Sequence, residues 1–404
     1  MNIMSSVTAW RALPRTVWLL VLARAVNRLG AFTLPFLPVI LVTSFGASVL
    51  DAGYLLAAFG VATIPSRLVG GWLADRWGTR TAIVTGLLAT AAAQVALAAA
   101  PSLGFAAVAV VALGLAFEIY EPASQAMVAD ATDDAQRPVA YGLMGAALSV
   151  AGMAAGLLAA LLAGVGLRWL FVVDAATCLG CAALVCRWLT VVGSPPQPRA
   201  LAWKDRRLLV MLAVGTVFAA VYLLVGIALP LTVVARGLPA GDVGLLLTVA
   251  AATVALGQPL LAAGPLVRLD DFAAMAVGYL LLGAGLVTVG LVHDLVPLAA
   301  ATVLWSLGDL VLLGRATAVV AGLAPASARG GYLATYGLGW GVTAVVGPLV
   351  GTRLFAAGGP VLLWSVLGVV CLGLAIAQPV VRREVSGRTP PASEVRPAPR
   401  PARR

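Results

Sequence analysis

The sequence has little charge for a chain of 404 residues. Aspartate, glutamate, lysine and arginine make up 10% of it, whereas hydrophobic residues make up 61%. Soluble globular chains carry about 25% charged residues, so this chain has too little polar surface to cover a water-soluble globule. Long charge-poor runs recur, and roughly 20 apolar residues are enough for a helix to cross the hydrocarbon core. The composition therefore predicts a polytopic membrane protein.

The residue types that carry most enzyme chemistry are also scarce. There is one histidine, His293, and there are four cysteines. Cys178 and Cys181 have the spacing of a metal-ligand pair, but they lie in an apolar run without a histidine, so we expect neither a metal site nor a disulfide framework. The sequence has no phosphate-binding loop that would indicate ATP drive, and no nucleophile with an accompanying base. We therefore predict a protein that is not an enzyme and has no cofactor.

Runs of spanning length occur about twelve times, which predicts an all-α polytopic fold with 12 transmembrane helices. The spans are placed near 16–42, 48–70, 81–99, 104–127, 139–163, 168–190, 208–234, 242–264, 272–292, 295–322, 331–356 and 359–381. The first run contains arginines and has no convincing cleavage site, so we expect it to be retained rather than removed as a signal peptide.

The basic residues are divided unequally between the loops. If both termini are cytoplasmic, 19 of the 26 basic residues flank the spans on the inner side, and only Arg168, Arg236 and Arg353 lie on the outer side. The positive-inside rule therefore predicts this orientation in the cell (plasma) membrane. The net charge of +10 is then explained by attraction to the anionic inner leaflet of the bilayer, and not by a nucleic-acid partner.

A Pro-rich, basic segment, GSPPQPRALAWKDRR, divides the chain into two parts. We expect an N-terminal six-helix half at 1–192, a cytoplasmic linker at 193–207, a C-terminal six-helix half at 208–383 and a disordered basic tail at 384–404. The halves match each other in order, as DAGYLL at Asp51–Leu56 matches DVGLLL at Asp242–Leu247 and Arg137 matches Arg329. Such a repeat predicts a substrate site between the halves, near the bilayer midplane.

The loop between spans 2 and 3, GGWLADRWGTR, closely resembles the signature loop of the major facilitator superfamily. The matching residues are Gly71, Leu73, Ala74, Asp75, Arg76, Gly78 and Arg80. Glycine permits a tight turn, Asp75 can accept hydrogen bonds from a facing helix N-terminus, and the arginines can hold the loop at the headgroups. The resemblance implies two pseudo-symmetric six-helix halves and a conformational latch formed by Gly71, Asp75, Arg76, Gly78 and Arg80. The alternative is an ordinary charged loop.

The segment from Tyr120 to Gly142 resembles the passage from span 4 to span 5 in the 12-span drug:proton antiporters of that superfamily. The glycines of span 5 match only in part, because Gly156 is followed by Leu-Leu-Ala-Ala where the antiporters have proline and a glycine pair. These glycines could instead serve only close helix packing. An arginine that many relatives carry in span 4 is replaced by Ala112. The resemblance implies proton-coupled export, but not a proton relay through that arginine.

Span 4 carries two carboxylates, Glu118 and Glu121, after a run without charge. By helical rise Glu118 lies at the same depth as Arg24 of span 1, and an unpaired charge at the bilayer centre costs about 2.5–3.5 kcal/mol. We therefore expect Glu118 and Arg24 to pair. Either the carboxylate exchanges the arginine for a proton between states, or the pair only fixes the helices, which is the favoured interpretation for Glu121. The proton-coupling candidates are Glu118, Glu121, Asp309, Arg24 and Arg28.

Polar-tipped and aromatic side chains within the spans are candidates for a central cavity, although each could instead be packing. They are Asn27, Tyr120, Tyr222, Trp305, Tyr336 and Trp340. The predicted function is a monomeric secondary active transporter that exports small, largely apolar molecules of drug or natural-product type by proton antiport with alternating access. The alternatives are an importer or uniporter of the same fold, or a non-transporting receptor or scaffold.

Overall fold

The computed structural model describes residues 13–30, 33–121, 123–124, 127, 131–132, 137–188, 203–263, 268–324 and 329–386. These residues are nearly all helical, and no strand occurs among them. The helical elements are α1 (Arg15–Gly30), α2 (Thr33–Phe45), α3 (Val49–Trp77), α4 (Thr79–Ala98), α5 (Leu103–Phe117), α6 (Arg137–Val165), α7 (Arg168–Trp188), α8 (Arg206–Ala235), α9 (Gly241–Ala263), α10 (Asp271–Leu291), α11 (Leu295–Leu323) and α12 (Arg329–Ser386). The all-α polytopic fold is confirmed.

Within the described ranges, nine helices are long and apolar enough to cross a membrane, and Leu103–Phe117 and Val150–Val165 are shorter apolar helices. The long element α12 is two helices joined at a kink, because Gly358 and Gly359 have non-helical backbone angles and the φ of Gly359 is +64°. The predicted number of twelve spans stays a prediction. Because α12 continues to Ser386, the first residues assigned to the disordered tail are helical.

The ends of several helices follow directly from the sequence. At the start of α3, the Ser48 hydroxyl accepts a hydrogen bond from the Asp51 N–H, and the Asp51 carboxylate accepts one from the Ser48 N–H, which is a capping box. Gly78 ends α3 and begins α4 with a φ of +87°, a conformation that favours glycine. The predicted tight turn therefore depends on this glycine.

Asp205 joins the start of α8 to α12. Its carboxylate accepts hydrogen bonds from the Arg207 N–H at 2.9 Å and from the Tyr332 hydroxyl at 2.8 Å. Partial burial alone would raise the pKa of Asp205, but these hydrogen bonds and the charge of Arg207 outweigh it and hold that pKa below its ordinary value. Asp205 thus caps one helix and ties it to another through the ionised form of its side chain.

The span predicted near 104–127 contains a break in its helix. The helix α5 ends at Phe117, residues 118–119 are not helical, and helical structure resumes at Tyr120. The Glu118 N–H donates to the Ser66 hydroxyl of α3 at 3.0 Å, and Pro122 has no N–H with which to continue the helical hydrogen bonds. Two glycines leave space for the backbone at the break. An added Cβ at Gly70 would lie 2.3 Å from the Ile119 oxygen, and one at Gly86 would lie 2.9 Å from the Tyr120 nitrogen.

The predicted halves pack against each other through α3 with α12, α6 with α9, and α2 with α8. Small residues permit these close crossings. An added Cβ at Gly60 would lie 2.3 Å from the Ala344 oxygen, and one at Gly156 would lie 2.6 Å from the Gly244 oxygen. These approaches lie toward the end of the bundle at which α3 and α9 begin. In the predicted topology that is the outer end, and with that topology the halves are in contact on the outside.

Candidate functional site

Two ion pairs extend from the break in span 4. Arg24 of α1 pairs with Glu121 through both carboxylate oxygens, with Nη2 lying 3.1 Å from Oε1. Arg67 of α3 donates from Nε and Nη2 to Oε2 of Glu118 at 3.2 and 3.0 Å. The expected pair of Glu118 with Arg24 is therefore wrong, because the break turns Glu118 toward α3 and leaves Glu121 facing α1. Sequence reasoning did not identify Arg67 as a partner of Glu118. Both glutamates therefore have an arginine partner in this conformation.

A chain of hydrogen bonds runs from Tyr120 through Asn27 and Cys178 to Asp174 on α7. The Tyr120 hydroxyl donates to Oδ1 of Asn27 at 3.1 Å, and Nδ2 of Asn27 lies 3.4 Å from Sγ of Cys178. Cys178 reaches Oδ1 of Asp174 at 3.8 Å, and Nε2 of Gln94 donates to Oδ2 of Asp174 at 2.7 Å. The acid Asp174 is thus held within the N-terminal half, together with the thiol of Cys178.

Asn27 and Tyr120 consequently face α7 instead of the C-terminal half. With Arg24 and Ser124 they line a cavity of about 20 Å³ inside the N-terminal half. A cavity of this size holds about one water molecule. This placement does not fit their predicted role in a central substrate cavity, since the side chains are directed by hydrogen bonds into their own half.

A second cluster lies between the halves. The rings of Tyr222 on α8 and Trp340 on α12 are 5.2 Å apart in an edge-to-face arrangement. Asp309 on α11 and Arg28 on α1 both lie within electrostatic range of Tyr222. The residues Arg28, Tyr222, Asp309 and Trp340 are named the central cluster from here on. Arg28 belongs to the predicted N-terminal half and the others to the predicted C-terminal half, so the cluster joins the two.

Two further contacts define the surroundings of the central cluster. An added Cβ at Gly152 of α6 would lie 3.8 Å from Nε of Arg28 and 3.9 Å from Cβ of Ala251 on α9, which places Arg28 beside the crossing of the halves. Tyr336, one helical turn before Trp340, packs on Gly215 of α8, where an added Cβ would lie 2.4 Å from its ring. The predicted cavity residues Tyr222 and Trp340 are therefore in ring contact, whereas Tyr336 packs about two turns away from Tyr222 along α8.

Asp309 is buried without a charge partner. Its side chain is 3% exposed, and within the described ranges Oδ1 has no hydrogen-bond partner and the carboxyl group forms no ion pair. Thr302, Trp305 and Ser306 also have buried polar atoms without a hydrogen-bond partner among the described residues. The spacing of these three residues and Asp309 places them on one face of α11. Trp305 packs on Gly285 of α10. Buried polar groups are costly when unsatisfied, so this face is suited to meet a proton, water or a ligand.

The loop motif is held inside the N-terminal half. Arg80 donates to the backbone oxygen of Cys186 on α7, and Arg76 lies over the ring of Trp72 at 5.8 Å. An added Cβ at Gly71 would meet nothing within 4 Å, so a close approach does not require that glycine. The Asp75 side chain lies outside the described part of the structure, and the latch role stays a prediction. Among the described residues, no cluster of histidine, cysteine and acidic side chains could hold a metal ion.

Comparison with known proteins defines the class. A sequence model of the Major Facilitator Superfamily matches residues 17–268 and 210–404. Two overlapping matches that together span nearly the whole chain show that it belongs to this family of membrane transporters. The fold agrees, since the chain superposes on an auto-inhibited peptide transporter of the POT family with a TM-score of 0.78, at 17% identity, over 95% of this chain and 99% of that one. It also superposes on the human organic anion transporter MFSD10 with a TM-score of 0.63, at 18% identity, over 90% and 100% of the two chains.

Two relatives by sequence are bacterial. The MFS-type transporter YhjO of Bacillus subtilis is 28% identical over 379 residues, which cover 88% of this chain and 90% of the relative. The multidrug resistance protein MdtH of Cronobacter sakazakii is 27% identical over 383 residues, which cover 92% and 94%. The similarity therefore extends over the two halves, and not only over the signature loop.

Proposed function

We propose that this transporter exports small, largely apolar molecules from the cytoplasm in exchange for protons, by alternating access of its two halves. The paired aromatic rings of Tyr222 and Trp340 in the central cluster support an apolar substrate, since such rings offer apolar faces with polar edges. The similarity to MdtH, whose name states multidrug resistance, supports export. The protein would act as a monomer in the plasma membrane, with both termini in the cytoplasm.

The proton-carrying group in this proposal is Asp309. Glu118 and Glu121 each form an ion pair with an arginine. Asp309 has no such cation in the described structure, and an ionised carboxylate that is buried without a partner is costly. In this conformation Asp309 is therefore suited to carry a proton. The unsatisfied, buried Oδ1 atom of Asp309 is the observation on which the proposal depends.

Arg28 supplies the means of releasing that proton. It belongs to the other half and, like Asp309, lies within electrostatic range of Tyr222. When the halves rock, the distance between Arg28 and Asp309 changes, and a closer cation favours the ionised carboxylate. Proton release is thereby coupled to the conformational change. This coupling does not require a continuous hydrogen-bonded chain of side chains across the membrane.

The test compares two carboxylates that lie in different environments. Purified protein in proteoliposomes would first be screened with a panel of lipophilic compounds for substrate-linked proton flux. Asp309→Asn should abolish uphill transport, whereas counterflow of substrate down its own gradient should persist because the halves still rock. Glu118→Gln is the matched control and should retain uphill transport, since it removes only one of the two ion pairs at the break.

Two outcomes would contradict this assignment. If Asp309→Asn still concentrates substrate and Glu118→Gln does not, Glu118 is the proton carrier. If wild-type protein moves substrate without any proton flux, proton antiport itself is wrong, whichever acid is replaced.

A further inference from the structure

A cavity of about 540 Å³ lies between the start of α10 and the end of α12. Its walls combine apolar side chains such as Phe272 and Ala276 with the polar residues Gln378, Arg382 and Arg383. It opens at the end of the bundle at which α8 begins and α12 ends, since Arg206 and Glu384 form an ion pair there at 3.2 Å. The residues that line this cavity are not members of the central cluster.

The charges that line the cavity leave a positive excess. Arg382 pairs with Asp270 at 3.2 Å, and Asp270 also caps α10 by accepting hydrogen bonds from the N–H groups of Phe272 and Ala273 at 3.1 and 3.2 Å. Arg383 forms no ion pair within the described part of the chain. Two guanidinium groups and a helix N-terminus thus share one carboxylate, which favours an anion.

Gln378 provides a second, independent indication of a ligand. It is 1% exposed, and its Nε2 atom donates to the Leu374 oxygen at 3.1 Å, whereas its Oε1 atom is buried with no partner among the described residues. Leaving a buried acceptor unsatisfied is unfavourable. A ligand that carries a hydrogen-bond donor next to its anionic group would satisfy this oxygen.

An apolar surface on α12 leads to Arg383 at the edge of the cavity. Val369, Leu372, Ile376 and Val380 are exposed large hydrophobic residues, and their spacing places them on one face of the helix. In a bilayer this face contacts acyl chains. The two arginines lie one turn beyond it, where long basic side chains reach the headgroup phosphates.

We propose that this cavity is a binding site for one anionic glycerophospholipid with a hydroxylated headgroup. Its phosphate lies between Arg382 and Arg383, a headgroup hydroxyl donates to Oε1 of Gln378, and an acyl chain follows the exposed face of α12. The proposal concerns a site outside the transport pathway, and it stands independently of the proton-coupling assignment.

The test measures lipid retention by the intact protein with native mass spectrometry. Delipidated full-length protein is mixed with phosphatidylglycerol, phosphatidylethanolamine and phosphatidylcholine of identical acyl chains. Wild-type protein should retain one phosphatidylglycerol in preference to the other two lipids. Arg382→Ala/Arg383→Ala should weaken this binding about 30-fold, since each basic residue near the surface contributes about a factor of five to the attraction of anionic lipid.

Two controls separate a built site from general surface charge. Arg187→Ala/Lys204→Ala also removes two exposed cations from the predicted cytoplasmic side and should leave retention unchanged. Gln378→Leu keeps both arginines and should reduce the preference for phosphatidylglycerol over phosphatidic acid, which lacks the glycerol headgroup hydroxyls. Equal retention of all lipids by wild-type protein, or equal losses in the two double variants, would overturn the proposal. Unchanged selectivity in Gln378→Leu would overturn the role of the hydroxyl.

Discussion

Replacing Gly156 with alanine should shift the protein away from the conformation that is closed on the outside. An added Cβ at Gly156 would lie 2.3 Å from Oγ1 of Thr248 and 2.6 Å from the Gly244 oxygen, and the latter is backbone that cannot turn aside. Overpacking of this kind costs about 1–3 kcal/mol. Because α6 and α9 belong to different halves, the cost falls on the conformation in which they are in contact. A free-energy change of that size alters the ratio of the two conformations about 5- to 150-fold.

The population of outward-open protein can be measured with spin labels on the two halves. Labels at Ser102 and His293, in a background in which the exposed Cys186 is serine, report the separation of the predicted outer ends. Gly156→Ala should increase the fraction at long distance. Gly164→Ala on the same helix is the control, since an added Cβ there would meet nothing within 4 Å. A distance distribution identical to that of wild-type protein in Gly156→Ala would refute the reasoning that this crossing closes the outer end.

Three further predictions use other parts of the chain. Asp75→Asn should slow transport several-fold at unchanged expression, because a charge-assisted contact of the predicted latch is lost, and wild-type transport rates would contradict the latch. A cysteine at Ser102 should react with impermeant thiol reagent in intact cells whereas one at Ser194 should not, and labelling of the latter would contradict the predicted topology. Because folding lowers the pKa of Asp205, its stabilising contribution is present above the ordinary aspartate pKa and lost as pH falls through the lowered value. Acid should therefore lower the melting temperature less in Asp205→Asn than in wild type, with Tyr332→Phe intermediate, and parallel pH profiles would contradict this.

Much of the fold could be predicted because the bilayer restricts the choices. Charge-poor runs of spanning length allow little but helices, and the internal repeat is visible in the structure. Asp51 and Asp242, which match in sequence, both lie in the first turn of a helix. Arg137 and Arg329 each begin one. The turn at Gly78 was also predictable, since its positive φ suits only glycine well.

The site was predictable only in part, because position along a helix gives depth but not direction. Glu118 and Arg24 share a depth, yet the break after Phe117 turns Glu118 to Arg67. Pro122 was a sequence signal for such a break. The hydrogen bond of Asn27 to α7 was not predictable either, since it depends on helix packing that the sequence does not reveal. Asp309 was identifiable by type alone, because an intramembrane acid is rare and costly.

The break in span 4 has a mechanical consequence. The segment that follows α5 is fastened to α3 through Glu118 and to α1 through Glu121, while Gly70 and Gly86 let it lie directly against α3 and α4. A movement of α1, α3 or α4 would therefore also move this segment, because the ion pairs and close backbone contacts join them directly. These contacts fix the position of the segment within the N-terminal half. If the halves rock as proposed, we expect the movement at the contacts between the halves and not within this part of the N-terminal half.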